Sequence, residues 1–196
     1  MVEQARAVIP QPLRSATYQT LIGLLATTGL RIGEALRLDR RDFDTSEGVL
    51  RIRESKFGKS RLVPLHTSTV EALERYDHTR QRLLPDPSTD SLFVSLRGTR
   101  VIYETVWPTH RMLCELAEIG AGSPATPRIH DHRHSFAVKT LLGWYRDGVD
   151  VSARISWLST YLGHREPRYT YHYLSAAPDL LTHAARLLND AQQVRL

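Results

Sequence analysis

One short stretch of alternating apolar and polar residues constrains this fold most, because the rest of the chain has helical spacing. Residues 49–54 alternate as a half-buried strand does. A turn at Gly58 follows, and residues 61–65 form a returning strand that Pro64 places at a sheet edge. The pair predicts a β-hairpin with a basic tip. The predicted fold class is therefore mainly α with a small antiparallel β-sheet (α+β).

Helices are predicted on both sides of this hairpin from apolar spacing and capping residues. The first begins with Ser15 as N-cap and stops near Gly29, and Ser68 opens a capping box before a helix that ends near Leu84. The first 13 residues, which contain two prolines, predict a loose arm. Further helices are predicted over residues 31–38, 104–118, 131–147, 152–162 and 177–191.

Composition narrows the class of protein. The chain has 196 residues, enough for one ordinary domain, and its 41% hydrophobic content argues against disorder. A formal net charge of +5 suggests a polyanionic partner, but charge alone leaves nucleic acid, an anionic membrane surface or no partner open. The single cysteine, Cys114, excludes an internal disulfide. Because there is no long apolar run and no signal pattern, we expect a cytoplasmic protein without a membrane span.

Residues suited to phosphoryl transfer follow one another in a set order. Arginines stay ionised at any working pH and offer paired planar donors to phosphate oxygens. The run His-Asp-His-Arg-His places a histidine and an arginine three residues apart, on one helical face. The candidates are Arg31, Glu34, Lys56, His130, Arg133, His164 and Tyr173.

A tyrosine is the predicted nucleophile of this set. A phenol near pKa 10 must lose its proton as it attacks, so it needs cationic neighbours and a base. His130 would exchange that proton, and His164 would hydrogen-bond a phosphoryl oxygen. Tyr169 and Tyr171 are rivals of Tyr173.

At this point the chain resembles the tyrosine recombinases, the phage-integrase family of DNA strand transferases. The likeness covers roughly residues 15–185 and rests on several weak motifs in the right order. The family's tyrosine stands nine residues after the histidine of Leu-Gly-His, which favours Tyr173. Its lysine precedes the turn glycine in a pattern like Lys-x-Gly-Lys-x-Arg-x-x-Pro-Leu. That pattern favours Lys56 over Lys59 as the acid that protonates the leaving 5′ oxygen.

The resemblance implies a reaction and partners. The tyrosine attacks the scissile phosphate, leaving a 3′-phosphotyrosyl link and a free 5′-hydroxyl, which then attacks the link on a partner strand. Two rounds pass through a Holliday junction in a tetramer on double-stranded DNA, with no metal and no nucleotide cofactor. Lys59 and Arg61 would contact the DNA backbone, and Glu34 would be a buried carboxylate that orients the arginines or the histidine. The implied location is the bacterial cytoplasm, at the nucleoid.

The predicted organisation has three parts, and two features depart from the family. An N-terminal arm (1–14) precedes the catalytic domain (15–176), and a C-terminal helix (177–196) carries an apolar stripe. The family implies that this helix is exchanged between protomers, although packing on its own domain fits the stripe equally well. His132 stands where the family usually carries leucine. The family's N-terminal DNA-binding domain has no counterpart in the 14 residues before the pattern.

Three other functions compete with this interpretation. His130, His132 and His134 suggest a metal-dependent hydrolase, although in a helix the middle residue points away from the others. The missing N-terminal domain favours a non-catalytic DNA-binding remnant of a recombinase. A type IB topoisomerase shares the nucleophile chemistry, but the residues around the tyrosine are more like those of recombinases.

Overall fold

The computed structural model describes residues 1–53, 60–123, 125–166 and 168–175, and the chain divides into two compact units, 1–133 and 134–196. The sequence did not predict this division. In order along the chain the elements are α1 (Val2–Val8), α2 (Pro12–Thr28), α3 (Ile32–Arg37), a 3-10 turn (Arg40–Asp42), β1 (Phe43–Asp44), β2 (Val49–Ile52), β3 (Arg61–Pro64), α4 (Thr67–Leu83), α5 (Tyr103–Leu116), α6 (Asp131–Arg146), α7 (Val151–Leu162) and α8 (Arg168–Ser175).

The prediction of a loose arm over the first 13 residues is wrong. Helix α1 occupies most of that segment and buries Ala5 completely. Helix α2 begins at Pro12, whose fixed φ suits a first helical turn. Ser15 therefore lies inside α2 rather than capping it, and its hydroxyl donates to the Ala5 carbonyl oxygen (2.9 Å). The prolines separate two packed helices instead of marking a flexible end.

The predicted hairpin is present, within a sheet of three antiparallel strands in the order β1-β2-β3. Leu50 pairs with Val63, and both are fully buried, as the alternating pattern predicts. Pro64 ends β3, which is an edge strand, so that prediction is also confirmed. Strand β1, which pairs with β2, was not predicted from the sequence.

The start of α4 differs from the predicted capping box. His66 is the N-cap residue, and its imidazole Nδ1 accepts a hydrogen bond from the Ser68 backbone N–H (3.3 Å). The ring supplies an acceptor to a free N–H of the first turn, the role predicted for Ser68. The far end of this helix is as predicted, at Leu83.

The second unit has its own apolar core, to which three helices contribute. The core contains Ala137, Leu141, Val151, Leu158, Leu162 and Tyr173. Two of these helices were predicted, whereas α8 was not. The predicted C-terminal helix lies outside the described residues, and the domain boundaries remain predictions.

The observed architecture matches the predicted class, mostly helical with one small antiparallel sheet. No helix in the described ranges combines the length and the apolar content needed to cross a membrane.

Candidate active site

Arg31 is presented by a sharp turn between two helices. Gly29 ends α2 in the left-handed region (φ 62°), where a side chain would be strained. Arg31 then adopts extended backbone as the N-cap of α3. The Glu34 carboxylate accepts the Arg31 backbone N–H (3.0 Å) and its Nη1 (2.9 Å), satisfying one orphan donor of the helix. The Gly-Leu-Arg-Ile-Gly-Glu run thus folds into a local ion pair.

Glu34 is buried and holds a second arginine from the sheet. The Arg61 fork donates from Nη1 to Oε1 (3.1 Å) and from Nη2 to Oε2 (2.9 Å) of that carboxylate. Burial raises the pKa of Glu34, but the hydrogen bonds and charge of Arg61, followed by those of Arg31, outweigh it and leave the pKa below its ordinary value. Glu34 is therefore a buried partner of two arginines.

Arg133 and His130 lie in the same unit as this ion cluster. Arg133 is fully buried, and its Nη1 donates to the Gly29 carbonyl oxygen (2.9 Å), beside the turn that presents Arg31. His130 immediately precedes α6. Burial, followed by the positive charges of Arg133 and Arg31, lowers the pKa of His130. The imidazole is therefore neutral near pH 7 and can accept a proton.

The second unit surrounds one tyrosine with imidazoles. Tyr173 is only 6% exposed, and its ring lies 6.1 Å from that of His164 at an interplanar angle of 19°. The ring of His134, another histidine of the His-Asp-His-Arg-His run, lies 5.3 Å from the Tyr173 ring. In contrast, Tyr169 and Tyr171 are 50% and 49% exposed. Of the three tyrosines of α8, only Tyr173 belongs to the buried core cluster.

His164 is positioned by the end of α7 and by α8. Gly163 adopts left-handed backbone (φ 67°) directly after Leu162, and the His164 backbone N–H donates to the Ser159 carbonyl oxygen (2.9 Å). The His164 Nδ1 lies 2.7 Å from the hydroxyl oxygen of the fully buried Thr170. This contact holds the orientation of the His164 ring.

His132 does not join a metal site with its neighbours in sequence. Its Nε2 lies 3.1 Å from the Nε2 of His110 on α5. Burial, followed by the charge of His132, lowers the pKa of His110 to about 4. Across the described ranges, no three His, Cys, Asp or Glu side chains are grouped closely enough to hold a metal ion. The metal interpretation of the histidine run therefore lacks a ligand set in this part of the chain.

The sequence model of the phage integrase family matches residues 2–179. The chain belongs to this family. Among the relatives of this integrase domain is the integrase/recombinase y4rE of Sinorhizobium fredii, 43% identical over 178 residues, which are 89% of this chain and 56% of y4rE. The type 1 fimbriae regulatory protein FimE of Escherichia coli K12 is 31% identical over 80% of this chain and 73% of FimE.

A solved structure has the same fold as this integrase domain. The XerA recombinase aligns with a TM-score of 0.75 and 28% identity, over 95% of this chain and 60% of XerA. The chain thus spans little more than half the length of y4rE and of XerA. The family and the fold of the integrase domain are therefore known, whereas the activity of the whole protein is a matter for proposal.

Most of the predicted site residues lie within the part of the chain that the structure describes. One unit contains Arg31, Glu34, Arg61, His130 and Arg133, and the other contains His164 and Tyr173. Lys56 and Lys59 lie outside the described residues. Sequence reasoning missed His134 and Thr170 as neighbours of the tyrosine and histidine. The spacing of Thr170, three residues before Tyr173, would have placed both on one face only if α8 had been predicted as a helix.

Proposed function

We propose that this chain is the catalytic part of a site-specific DNA recombinase that cuts and rejoins double-stranded DNA through a 3′-phosphotyrosyl intermediate. The oxygen of Tyr173 attacks the scissile phosphorus, and the bond to the 5′ oxygen breaks. A 5′-hydroxyl of a partner strand then attacks the phosphotyrosyl link and releases the tyrosine. The bond energy is conserved in the ester, so the chemistry needs neither a metal nor a nucleotide cofactor.

The proposed roles follow from the charge and protonation of each group. Arg31 and Arg133 stabilise the negative charge that builds on the non-bridging oxygens, and His164 donates a hydrogen bond to one of them. His130 accepts the tyrosine proton, because its lowered pKa keeps the imidazole in the neutral form that can take up a proton. Lys56 protonates the leaving 5′ oxygen, a role supported by its place in the family pattern alone.

The observation that carries the proposal is the contrast among the tyrosines of α8. Tyr173 is buried and its ring contacts the rings of His164 and His134, whereas Tyr169 and Tyr171 are half exposed. This contrast supports Tyr173 as the nucleophile independently of its spacing from His164. The match to the integrase family over residues 2–179 supports the reaction class.

Covalent trapping on DNA tests this proposal. The protein is incubated with a pool of nicked duplexes with a randomised centre, in which cleavage releases a short fragment and prevents religation. A denaturing gel then separates free DNA from covalent adduct. We expect an adduct with the wild type, Tyr169→Phe and Tyr171→Phe, and none with Tyr173→Phe. The two control variants remove a hydroxyl from the same helix.

Each other outcome has a defined meaning. Adduct from Tyr173→Phe would mean that another residue is the nucleophile. No adduct from the wild type would favour the non-catalytic DNA-binding remnant instead. Cleavage that is lost in a chelator would contradict the metal-free chemistry. Tetramer formation on DNA and a location at the nucleoid belong to the same proposal, and crosslinking of the adduct-forming complex tests the first.

A further inference from the structure

Glu34 joins two arginines that come from different elements of the first unit. Arg31 caps α3, whereas Arg61 is the first residue of β3, directly beyond the segment that carries Lys56. Both carboxylate oxygens of Glu34 accept from Arg61, and both also accept from Arg31, once from its backbone and once from its guanidinium. One buried anion thus sets the position of two cations.

We propose that Arg61 is a positioning residue for strand transfer, which holds Glu34 ionised and in place so that Glu34 in turn orients the guanidinium of Arg31. This inference rests on the proposed function. It differs from the sequence prediction, in which Arg61 contacts the DNA backbone. It also gives the arginine of the Lys-x-Gly-Lys-x-Arg pattern a separate task from the lysines.

The strand geometry supports this role for Arg61. Successive side chains of a strand point to opposite faces. Arg61 therefore shares a face with the fully buried Val63, and its side chain is 11% exposed. Arg51 lies on the other face of the same hairpin, opposite Leu62, and is exposed. Arg51 is consequently a matched control, an arginine of the same hairpin that faces solvent.

The charges around Glu34 predict what the loss of Arg61 does. Burial raises the pKa of Glu34, and Arg61 contributes most of the opposing effect, ahead of Arg31. Without Arg61, Glu34 takes up a proton at a higher pH than in the wild type. A protonated Glu34 no longer offers two anionic oxygens to Arg31, so the guanidinium loses its orientation at a higher pH than in the wild type.

The test measures adduct formation by Arg61→Gln, Arg61→Lys and Arg51→Gln at saturating nicked DNA, with DNA affinity measured separately. We expect both Arg61 variants to cleave roughly 100-fold more slowly, as for a small misplacement of a catalytic group. Arg61→Lys keeps the charge but loses the planar fork, so it should not rescue. Arg51→Gln should cleave at the wild-type rate, and all three should bind DNA with similar affinity.

Two further readouts identify the route by which Arg61 acts. As the pH is lowered, the cleavage rate of Arg61→Gln should begin to fall at a higher pH than that of the wild type. The double variant Glu34→Gln/Arg61→Gln should be no slower than Glu34→Gln alone, because the two residues act as a unit. The defect should persist on a 5′-bridging phosphorothioate, whose thiolate leaves without a proton, since Arg61 acts on Arg31 rather than on Lys56.

Several results would overturn the inference. Variants that bind DNA more weakly but cleave normally at saturation would make Arg61 a backbone contact. Additive effects with Glu34→Gln, or rescue by the phosphorothioate, would place its action elsewhere. Failure of both Arg61 variants to fold, with Arg51→Gln folded, would make its role structural. If the wild type itself forms no adduct, the proposed function fails instead, and a double-mutant cycle in unfolding free energy then tests the Arg61–Glu34 coupling alone.

Discussion

The two units use opposite means to hold their candidate catalytic groups. In the first, Arg31 and Arg61 are fixed by charge-assisted hydrogen bonds to a buried carboxylate. In the second, Tyr173 is fixed by packing in an apolar core against the rings of His164 and His134. Removal of one partner of a buried ion pair leaves an uncompensated charge and strongly lowers stability. A packed aromatic ring, in contrast, keeps its position when its hydroxyl is removed.

This difference predicts how chemistry and stability are connected in each unit. In the first unit (residues 1–133), the groups proposed for catalysis also satisfy buried polar atoms, so their removal lowers the stability of the fold. In the second unit (residues 134–196), the hydroxyl oxygen of Tyr173 can be removed while its ring stays packed in the core.

The largest expected effect is the difference in unfolding free energy between Tyr173→Phe and Arg133→Ala. Both should reduce adduct formation at least ~1,000-fold, since one loses the nucleophile and the other a transition-state donor. Arg133→Ala should also lower the free energy of unfolding by about 3–5 kcal/mol, because it leaves a cavity and deprives the Gly29 carbonyl of its donor. Tyr173→Phe should change it by less than about 1 kcal/mol. Urea unfolding followed by circular dichroism measures both, and equal losses of stability would refute the contrast.

The next effect concerns the buried carboxylate. Glu34→Gln leaves two guanidiniums without their counterion and should cost about 3–5 kcal/mol at pH 7. The folded-state pKa of Glu34 lies below its ordinary value of 4.5. Its stabilisation is therefore present above about pH 4.5 and is lost as the pH falls through the lowered folded value. The difference in unfolding free energy between wild type and variant should thus shrink as the pH falls below about 4.5, and a constant difference from pH 7 to 3 would count against the ion cluster.

A smaller effect lies in a separate pH window. The pKa of His110 falls from 6.5 to about 4 on folding, so the unfolded chain binds more protons between these values. The resulting loss of stability begins as the pH drops below about 6.5 and is complete near pH 4, amounting to about 3 kcal/mol. His110→Gln should flatten this part of the pH–stability curve while leaving the Glu34 region below it unchanged. An unaltered curve between pH 6.5 and 4 would contradict the burial of this ring.

The smallest effect should be the same in both units. Gly23 in α2 and Gly143 in α6 have no heavy atom within 4 Å of an added Cβ. Gly23→Ala and Gly143→Ala should each raise the free energy of unfolding by about 0.5–1 kcal/mol. Gly120→Ala is the opposite control, because its φ is +79° and the Cβ would lie 2.8 Å from Pro127 Cγ. Thermal unfolding that ranks Gly120→Ala with the other two would show that the backbone there differs from this description.

Elements determined by neighbouring residues in the sequence were predicted well, whereas elements that depend on tertiary packing were missed. The end of α2 at Gly29 and the β2–β3 hairpin follow from a glycine and a period of two, which neighbours in sequence determine. Helix α8 was missed because it is only eight residues long and its tyrosines alternate. Helix α1 was missed because its polar residues and the two prolines after it are typical of a flexible terminus. Burial of Ala5 stabilises the helix instead, and the sequence pattern does not show this burial.

The candidate site shows the same limit. Seven residues in a set order were enough to indicate the family, because the chemistry requires those side chains. The Arg61–Glu34 pair joins residues 27 positions apart, and the His134–Tyr173 contact joins residues 39 apart. Such contacts depend on how elements pack, which spacing along the chain does not encode. The sequence therefore predicts the groups but not the partners that hold them.

The identity of the esterified residue tests the central claim most directly. The covalent protein–DNA complex is digested with protease and nuclease, and mass spectrometry locates the residue that carries the nucleotide. The account predicts a 3′-phosphate ester on the hydroxyl of Tyr173, in a peptide in which Tyr169 and Tyr171 are unmodified. An ester on either of those tyrosines, on a serine, or through a 5′-phosphate would contradict it.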